Sequence, residues 1–248
     1  MLIVNRMQTG WQLLRESIVD AWHNRQLWWL IVMVPLVKIG YRFFFDNYVL
    51  PNIVDQTVML LVFGTIIVIS PFYFMATVVR LYQEPQLRVW TAISQVLLNL
   101  RLFIVAVFSA LTVSPTFYML RYLRLPGYFI DLSSILIYLC LVMFVPILVW
   151  YERNPITILV HNFQKIWQQL GLVLVGFIAW VGCFVLIVLF YRLMRTIAIR
   201  LGFVNQIFYD SPSQIASIVI GDIVVFLLSI SIMIGTIFLV KVYNRAHQ

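Results

Sequence analysis

The chain has 248 residues, of which 63% are hydrophobic and 10% are charged, and its formal net charge is +8. With a mean hydropathy of +0.98, this composition excludes an ordinary soluble domain, because a chain of this length could not cover so much apolar surface. The basic residues are divided among short loops, which favours contact with anionic lipid headgroups and gives no indication of nucleic-acid recognition. We expect one membrane domain over residues 1–248.

Apolar runs long enough to cross the roughly 30 Å hydrocarbon core of a bilayer predict a bundle of six transmembrane helices. They lie near Leu27–Phe45, Thr57–Val79, Leu102–Leu120, Leu132–Trp150, Leu170–Tyr191 and Ser217–Val240. An even number of spans places both termini on one side of the membrane, which is called the terminal side below. That side also receives the larger share of Lys and Arg, so the positive-inside rule predicts cytoplasmic termini.

Three segments on the terminal side repeat at helical spacing, each ahead of an odd-numbered span: Gly10–Gln26, Pro85–Arg101 and Pro155–Gln169. Their aligned apolar stripe comprises Leu14, Ile18, Ala21 and Trp22, then Val89, Ile93, Val96 and Leu97, then Leu159, Phe163, Ile166 and Trp167. Two other columns form a polar face, as an interfacial helix requires. They are Glu16, Thr91 and His161, and Asp20, Gln95 and Lys165. Pro85 and Pro155 are predicted to open their helices. The pattern indicates three units, each an amphipathic helix followed by a transmembrane hairpin.

Ionisable residues inside the apolar runs are the first candidates for a functional site, because charge at membrane depth is costly. Lys38 lies in the first span and Asp222 in the last. Asp222 could pair with Lys38, or with Arg192 or Arg195, in a static ion pair. The alternative is a polar transport pathway. Small residues of the last span, Gly221, Ser231 and Gly235, are candidates for close helix packing.

Catalytic signatures are missing from the sequence, which contains no Gly-x-Ser-x-Gly elbow, phosphate-binding Gly-rich loop, His-Glu-x-x-His helix or Cys-x-x-Cys pair. His23 and His161 each lack a second histidine three or four positions away that could share a metal ion. We therefore predict no catalytic residue, no cofactor and no metal site, and we expect a protein that is not an enzyme.

A further group of motifs connects the chain to a known family. They are Leu125–Pro126–Gly127, a span ending near Pro146, the turn Glu152–Arg153–Asn154–Pro155, and an amphipathic helix leading into a Trp-bearing span. Over about Arg124 to Leu172 this layout resembles the YciC-like bacterial inner-membrane proteins. It is also similar to the membrane domain of some glycerophosphodiester phosphodiesterases. The resemblance implies a six-helix protein of the bacterial inner membrane and supplies no catalytic residue.

These observations leave two functional hypotheses. The leading one is a non-enzymatic protein of the bacterial inner membrane that organises lipids or partner membrane proteins. Its partners would be the bilayer, with anionic lipids, and other membrane proteins. The alternative is a transporter of small solutes or ions, with Lys38 and Asp222 in a polar pathway.

Overall fold

The computed structural model describes residues 2–44, 56–109, 143–200 and 211–245. All regular secondary structure within these ranges is helical. The helices are α1 (Leu2–His23), α2 (Arg25–Phe44), α3 (Gln56–Gln83), α4 (Val89–Leu97), α5 (Leu100–Ser109), α6 (Val145–Leu148), α7 (Pro155–Gln168), α8 (Leu170–Arg200) and α9 (Ser211–Arg245).

Two of the described helices, α8 and the Val219–Arg245 part of α9, are long and apolar enough to cross a membrane. A third candidate exists if α4 and α5, which meet at 66°, are counted as one bent span. Only 22% of the most apolar window of α8 is buried in the bundle, which fits a helix whose outer face contacts lipid. The protein is therefore an all-α membrane protein in the described ranges. Helices α2 and α3 cover the first two predicted spans, and most of the third and fourth lies outside the described residues.

The predicted fourth span, Leu132–Trp150, does not end as a continuous helix. Its described part contains a turn, the single helical turn α6 and a further turn up to Tyr151. Pro146 accounts for the interruption, because proline has no N–H and its ring clashes with the carbonyl four residues earlier. The N–H of Phe144, which lies just before α6, donates to Asn162 Oδ1 of α7 at 2.8 Å. The last part of this predicted span is thus fixed to an amphipathic helix.

Helix α9 lies at the centre of the described bundle, where it packs against α1, α2, α3 and α8. Fully buried aromatic side chains from three segments, Phe72, Phe144 and Phe238, fill the core. Two glycines permit close helix contacts. A Cβ at Gly10 of α1 would lie 2.9 Å from Val175 of α8, and one at Gly176 would lie 2.5 Å from Phe238 of α9.

The junction after each amphipathic helix has the same form in all three predicted units. The helix breaks at the equivalent residues Asn24, Asn99 and Gln169. Asn24 Oδ1 accepts the N–H of Leu27 at 3.3 Å, and Asn99 Oδ1 accepts that of Leu102 at 3.2 Å, as N-cap residues do. At the third junction the carbonyl of Gln169 accepts from Leu172. Leu27, Leu102 and Leu172 are equivalent and all buried, so the repeat extends into the following helix.

The amphipathic helices present part of the predicted stripe to the bundle. Ala21, Val89 and Val96 are buried, and Leu14, Ile93, Leu159 and Ile166 are half-buried against the core. The remaining stripe residues are exposed, namely Ile18, Trp22, Leu97, Phe163 and Trp167. Buried residues outside the stripe include Leu13, Ser17, Ala92, Ile158 and Asn162. Each helix thus has apolar residues on an inner and an outer face, and the periodicity of the sequence alone does not distinguish the two faces.

The helix starts were predicted correctly in one unit only. Pro155 opens α7, with Asn154 Oδ1 accepting the N–H of Ile156 at 2.9 Å. Pro85 instead lies in a turn closed by Leu87 N–H donating to the Glu84 carbonyl at 2.9 Å, and α4 begins four residues after Pro85, at Val89. Proline also favours the second position of a turn, so its presence did not decide between the two structures.

Candidate functional site

The first feature of the candidate site is a set of ion pairs and a hydrogen bond that join α1 to the ends of α9 and α3. Lys241 Nζ lies 2.8 Å from Asp20 Oδ2 and 3.4 Å from Glu16 Oε2. The Tyr82 hydroxyl donates to Asp20 Oδ2 at 2.7 Å. Burial tends to raise the pKa of Asp20, but the hydrogen bonds from Lys241 and Tyr82 outweigh it, so its pKa lies below the usual 3.8. The carboxylate is therefore ionised at neutral pH and ties three helices together.

The second and third units repeat this arrangement with other side chains. Arg80 of α3 donates to Gln95 Oε1 of α4 at 3.0 Å and lies 2.6 Å from Glu84. In the third unit, Lys165 Nζ of α7 lies 5.5 Å from the ring centroid of Tyr243. Asp20, Gln95 and Lys165 are equivalent positions of the repeat. We call this end of the bundle, where α1, α4 and α7 contact the ends of α3 and α9, the polar end.

The carboxylates at the polar end have ion-pair partners, whereas several of the cations have none among the described residues. All four of its carboxylates, Glu16, Asp20, Glu84 and Glu152, lie within ion-pair distance of Lys241, Arg80 or His161. A second set of cations surrounds them, and no ion pair joins these to any described residue. This set, the exposed arginines, consists of Arg15, Arg25, Arg88, Arg153 and Arg245. The polar end therefore presents positive charge to its surroundings.

Large aromatic side chains are exposed on the same three helices. Trp22 of α1 is 71% exposed, Trp90 of α4 is 68% exposed and Trp167 of α7 is 79% exposed. We call them the outer tryptophans. Tryptophan concentrates at membrane–water interfaces because its ring is apolar and its N–H is polar. Such side chains beside unpaired arginines are typical of a surface that lies in the headgroup region.

A cleft of about 230 Å³ opens between α3, α8 and α9. Its lining is almost entirely apolar, and we call it the apolar cleft. The lining residues are Pro71, Met75, Met143, Val173, Gly176, Phe177, Trp180, Ile232, Gly235, Thr236, Phe238 and Leu239. The single hydroxyl among them, on Thr236, already donates to the Ile232 carbonyl at 2.7 Å. The lining side chains therefore offer a polar ligand few hydrogen-bonding groups, chiefly the indole N–H of Trp180.

The structure describes the predicted intramembrane charges only in part. Arg192 and Arg195 are exposed on α8, and no ion pair joins either of them to Asp222 among the described side chains. Their pairing with Asp222 stays a prediction. Asp222 is half-buried in α9 and is engaged in another interaction. The backbone of Lys38 lies in α2, but its side chain is outside the described residues, so its pairing with Asp222 and the transport hypothesis stay predictions.

The small residues of the last helix were predicted as candidates for close helix packing. Gly221 and Ser231 are half-buried. A Cβ at Gly235 would meet no described atom within 4 Å, so this glycine lines the cleft and makes no close helix contact. The close contacts lie at Gly10 and Gly176, which sequence reasoning did not single out. A glycine inside an amphipathic or apolar helix was the available signal.

Sequence reasoning also missed the cations that fix the polar end. Lys241 was counted only as a terminal-side charge, yet it pairs with a residue 225 positions away in the sequence.

Comparisons of the chain with family models, with curated proteins and with solved structures found no match.

Proposed function

We propose that this protein is a non-enzymatic, multi-pass protein of the bacterial inner membrane that organises anionic phospholipids around its three amphipathic helices. Six spans and cytoplasmic termini are part of this proposal, as is membership of the YciC-like family. The observation that carries it is the combination, at the polar end, of the exposed arginines, which pair with no described residue, and the outer tryptophans. Both features lie on or next to the helices predicted to occupy the interface.

The balance between the internal ion pairs and the exposed arginines sets the sign of the charge that the polar end presents. Lys241 faces two of the four carboxylates and Arg80 faces a third, whereas the fourth contacts His161, which is charged only when protonated. The five exposed arginines exceed the acidic charge that these internal groups leave. A basic residue near an anionic membrane surface contributes about 1 kcal/mol of attraction. Five such residues would enrich anionic lipids in the surrounding leaflet, and tryptophan rings between them would fix the depth of the helices.

The distribution of these side chains favours lipid over a single protein partner. The three helices pack on different parts of the bundle: α1 against α8 and α9, α4 against α2 and α3, and α7 against α6 and α8. Their outer tryptophans therefore do not belong to one helix pair. Lipid surrounds a membrane protein on every side, whereas a protein partner usually covers one patch.

The proposal predicts that the lipid preference depends on arginine charge. In vesicles of phosphatidylcholine with a minor fraction of spin-labelled lipid, the protein should restrict labelled phosphatidylglycerol more than labelled phosphatidylcholine. A triple variant, Arg15→Gln, Arg88→Gln and Arg153→Gln, should lower this preference severalfold, because about 1 kcal/mol is lost at each position and only two of the exposed arginines remain. Electron paramagnetic resonance measures the restricted fraction.

The matched control for this experiment carries lysine at the same three positions and keeps the charge. It should retain most of the preference, and added salt should weaken the preference in both the control and the native protein. A glutamine variant that still selects phosphatidylglycerol as the native protein does would contradict the proposed function.

A further inference from the structure

The apolar cleft lies at one depth in the bundle, and the lining residues of α8 and α9 agree on that depth. On α8, Val173 and Trp180 lie roughly 5–15 Å beyond the helix start at Leu170. On α9, Leu239 and Ile232 lie roughly 3–14 Å before Lys241. Since the hydrocarbon core is roughly 30 Å thick, the cleft opens into the leaflet next to the polar end.

The walls of the cleft differ in their exposure. Val173, Thr236, Phe238 and Leu239 form a buried floor, whereas the residues near the mouth are half-exposed. The mouth residues are Pro71, Met75, Met143, Phe177, Trp180 and Ile232. A groove of this form is open from the side of the bundle. In a membrane, its mouth faces hydrocarbon.

We infer that the apolar cleft holds one acyl chain of a phospholipid from the leaflet at the polar end. This inference rests on the proposed function, since the exposed arginines would hold the headgroup of such a lipid at the same end. The volume of about 230 Å³ exceeds the roughly 150 Å³ of an apolar cavity that binds benzene. It is too narrow for a helix, whose diameter is about 10 Å. A flexible hydrocarbon chain fits both the chemistry and the size.

The attraction between the apolar cleft and an acyl chain comes from packing. Inside a bilayer, moving a chain from lipid into the cleft removes no apolar surface from water, so the usual hydrophobic gain is absent. An empty groove would forfeit dispersion contacts along its whole lining. Met75, Met143 and Phe177 are side chains that adapt their contact surface or offer a flat ring to a neighbouring chain. The bound chain should therefore exchange more slowly than chains on the outer face of α8.

Photo-crosslinking tests this inference. The probe is phosphatidylglycerol with a diazirine in the middle of one acyl chain, mixed into phosphatidylcholine vesicles that contain the full-length protein. Peptide mapping should find the label at Met75 and Trp180, and non-reactive lipid should compete with it. Leu186, exposed on the outer face of α8, provides the reference for lipid that contacts the protein without a site.

Two glycine variants decide whether the cleft is the site. Gly235→Leu places a side chain in the cleft, and a Cβ at this position meets no described atom within 4 Å. Gly182→Leu is the control, because its Cβ also meets no described atom within 4 Å but Gly182 does not line the cleft. Labelling of Trp180 should fall about tenfold relative to Leu186 in the first variant, a change equivalent to about 1.4 kcal/mol. It should be unchanged in the second.

The outcomes separate this inference from the proposed function. Equal labelling by diazirine phosphatidylcholine and phosphatidylglycerol, lost in Gly235→Leu, would support the acyl-chain site and count against the anionic preference. Labelling at Trp180 that follows Leu186 in every variant would overturn the acyl-chain site, whatever the arginine variants show. Cross-links between two copies of the chain at Met75 or Trp180 would also overturn it, because a protein would then occupy the cleft.

Discussion

A Gly176→Ala variant is expected to unfold at a clearly lower temperature than the native protein. The new Cβ would lie 2.5 Å from Cε1 and 2.9 Å from Cδ1 of Phe238, whose side chain is 1% exposed. Overpacking of a core typically costs about 1–3 kcal/mol. Alanine gains about 1 kcal/mol over glycine in a helix, which offsets only part of this cost. Thermal unfolding in detergent, followed by circular dichroism, measures the change.

The matched control is Gly182→Ala in the same helix. A Cβ at Gly182 meets no described atom within 4 Å, so only the gain in helix propensity remains and the midpoint should stay the same or rise. Combining Gly176→Ala with Phe238→Leu should recover part of the loss, because the smaller side chain vacates the space. An unchanged midpoint in Gly176→Ala would show that α8 and α9 do not approach as closely as described.

Lys241→Met is expected to destabilise the protein by detaching α1 from the bundle. Removing the ammonium leaves Asp20 and Glu16 without their cation, and hydrogen bonds to charged groups contribute about 1.5–3 kcal/mol. Because both carboxylates are partly exposed, we expect the lower part of that range. Limited proteolysis within residues 7–23 should accelerate in parallel with a lower unfolding midpoint.

A double variant separates charge pairing from packing at this position. Adding Asp20→Asn to Lys241→Met should recover part of the stability, since one unpaired carboxylate is removed. Arg245→Met, on the same helix and without a described ion pair, should have no effect. Equal losses in the Lys241 and Arg245 variants would contradict the described role of Lys241.

Composition and apolar run length predicted much of the architecture. Helices α2, α3, α8 and α9 lie where apolar runs were found, because run length responds directly to the thickness of a bilayer. The repeat predicted an amphipathic helix ahead of each odd-numbered span, but not the breaks capped by Asn24 and Asn99. The break near Pro146 was harder to place, because a proline inside an apolar run is compatible with a kink, a bend or an end.

The outward faces of the amphipathic helices could not be predicted in the same way. In a soluble protein an apolar stripe faces the core, but at a membrane interface both the bundle and the lipid accept apolar side chains. Ile18 and Ala21 therefore looked alike in the sequence, although the first is exposed and the second is buried. Only the contacts with α8 and α9 distinguish the two faces of α1.

Most of the candidate site could not be predicted from the sequence, because it depends on residues that are far apart in the chain. The exposed arginines become a distinct set only when Lys241, Arg80 and His161 are seen to occupy the carboxylates. The apolar cleft depends on how α3, α8 and α9 meet. Gly235 was compatible with close packing or with an open groove, and the structure shows the groove.

The central claim is that the outer tryptophans lie at the membrane interface, and spin-label depth measurements test it most directly. Cys140 and Cys183 would be replaced by serine, and single cysteines introduced at Trp22, Trp90 and Trp167 would carry nitroxides. Labels at exposed Arg153 and at Ile178, which is exposed roughly 12 Å along α8, would mark water and hydrocarbon. The account predicts that all three tryptophan sites report depths between these two references. Labels as accessible to aqueous nickel as the one at Arg153 would contradict it.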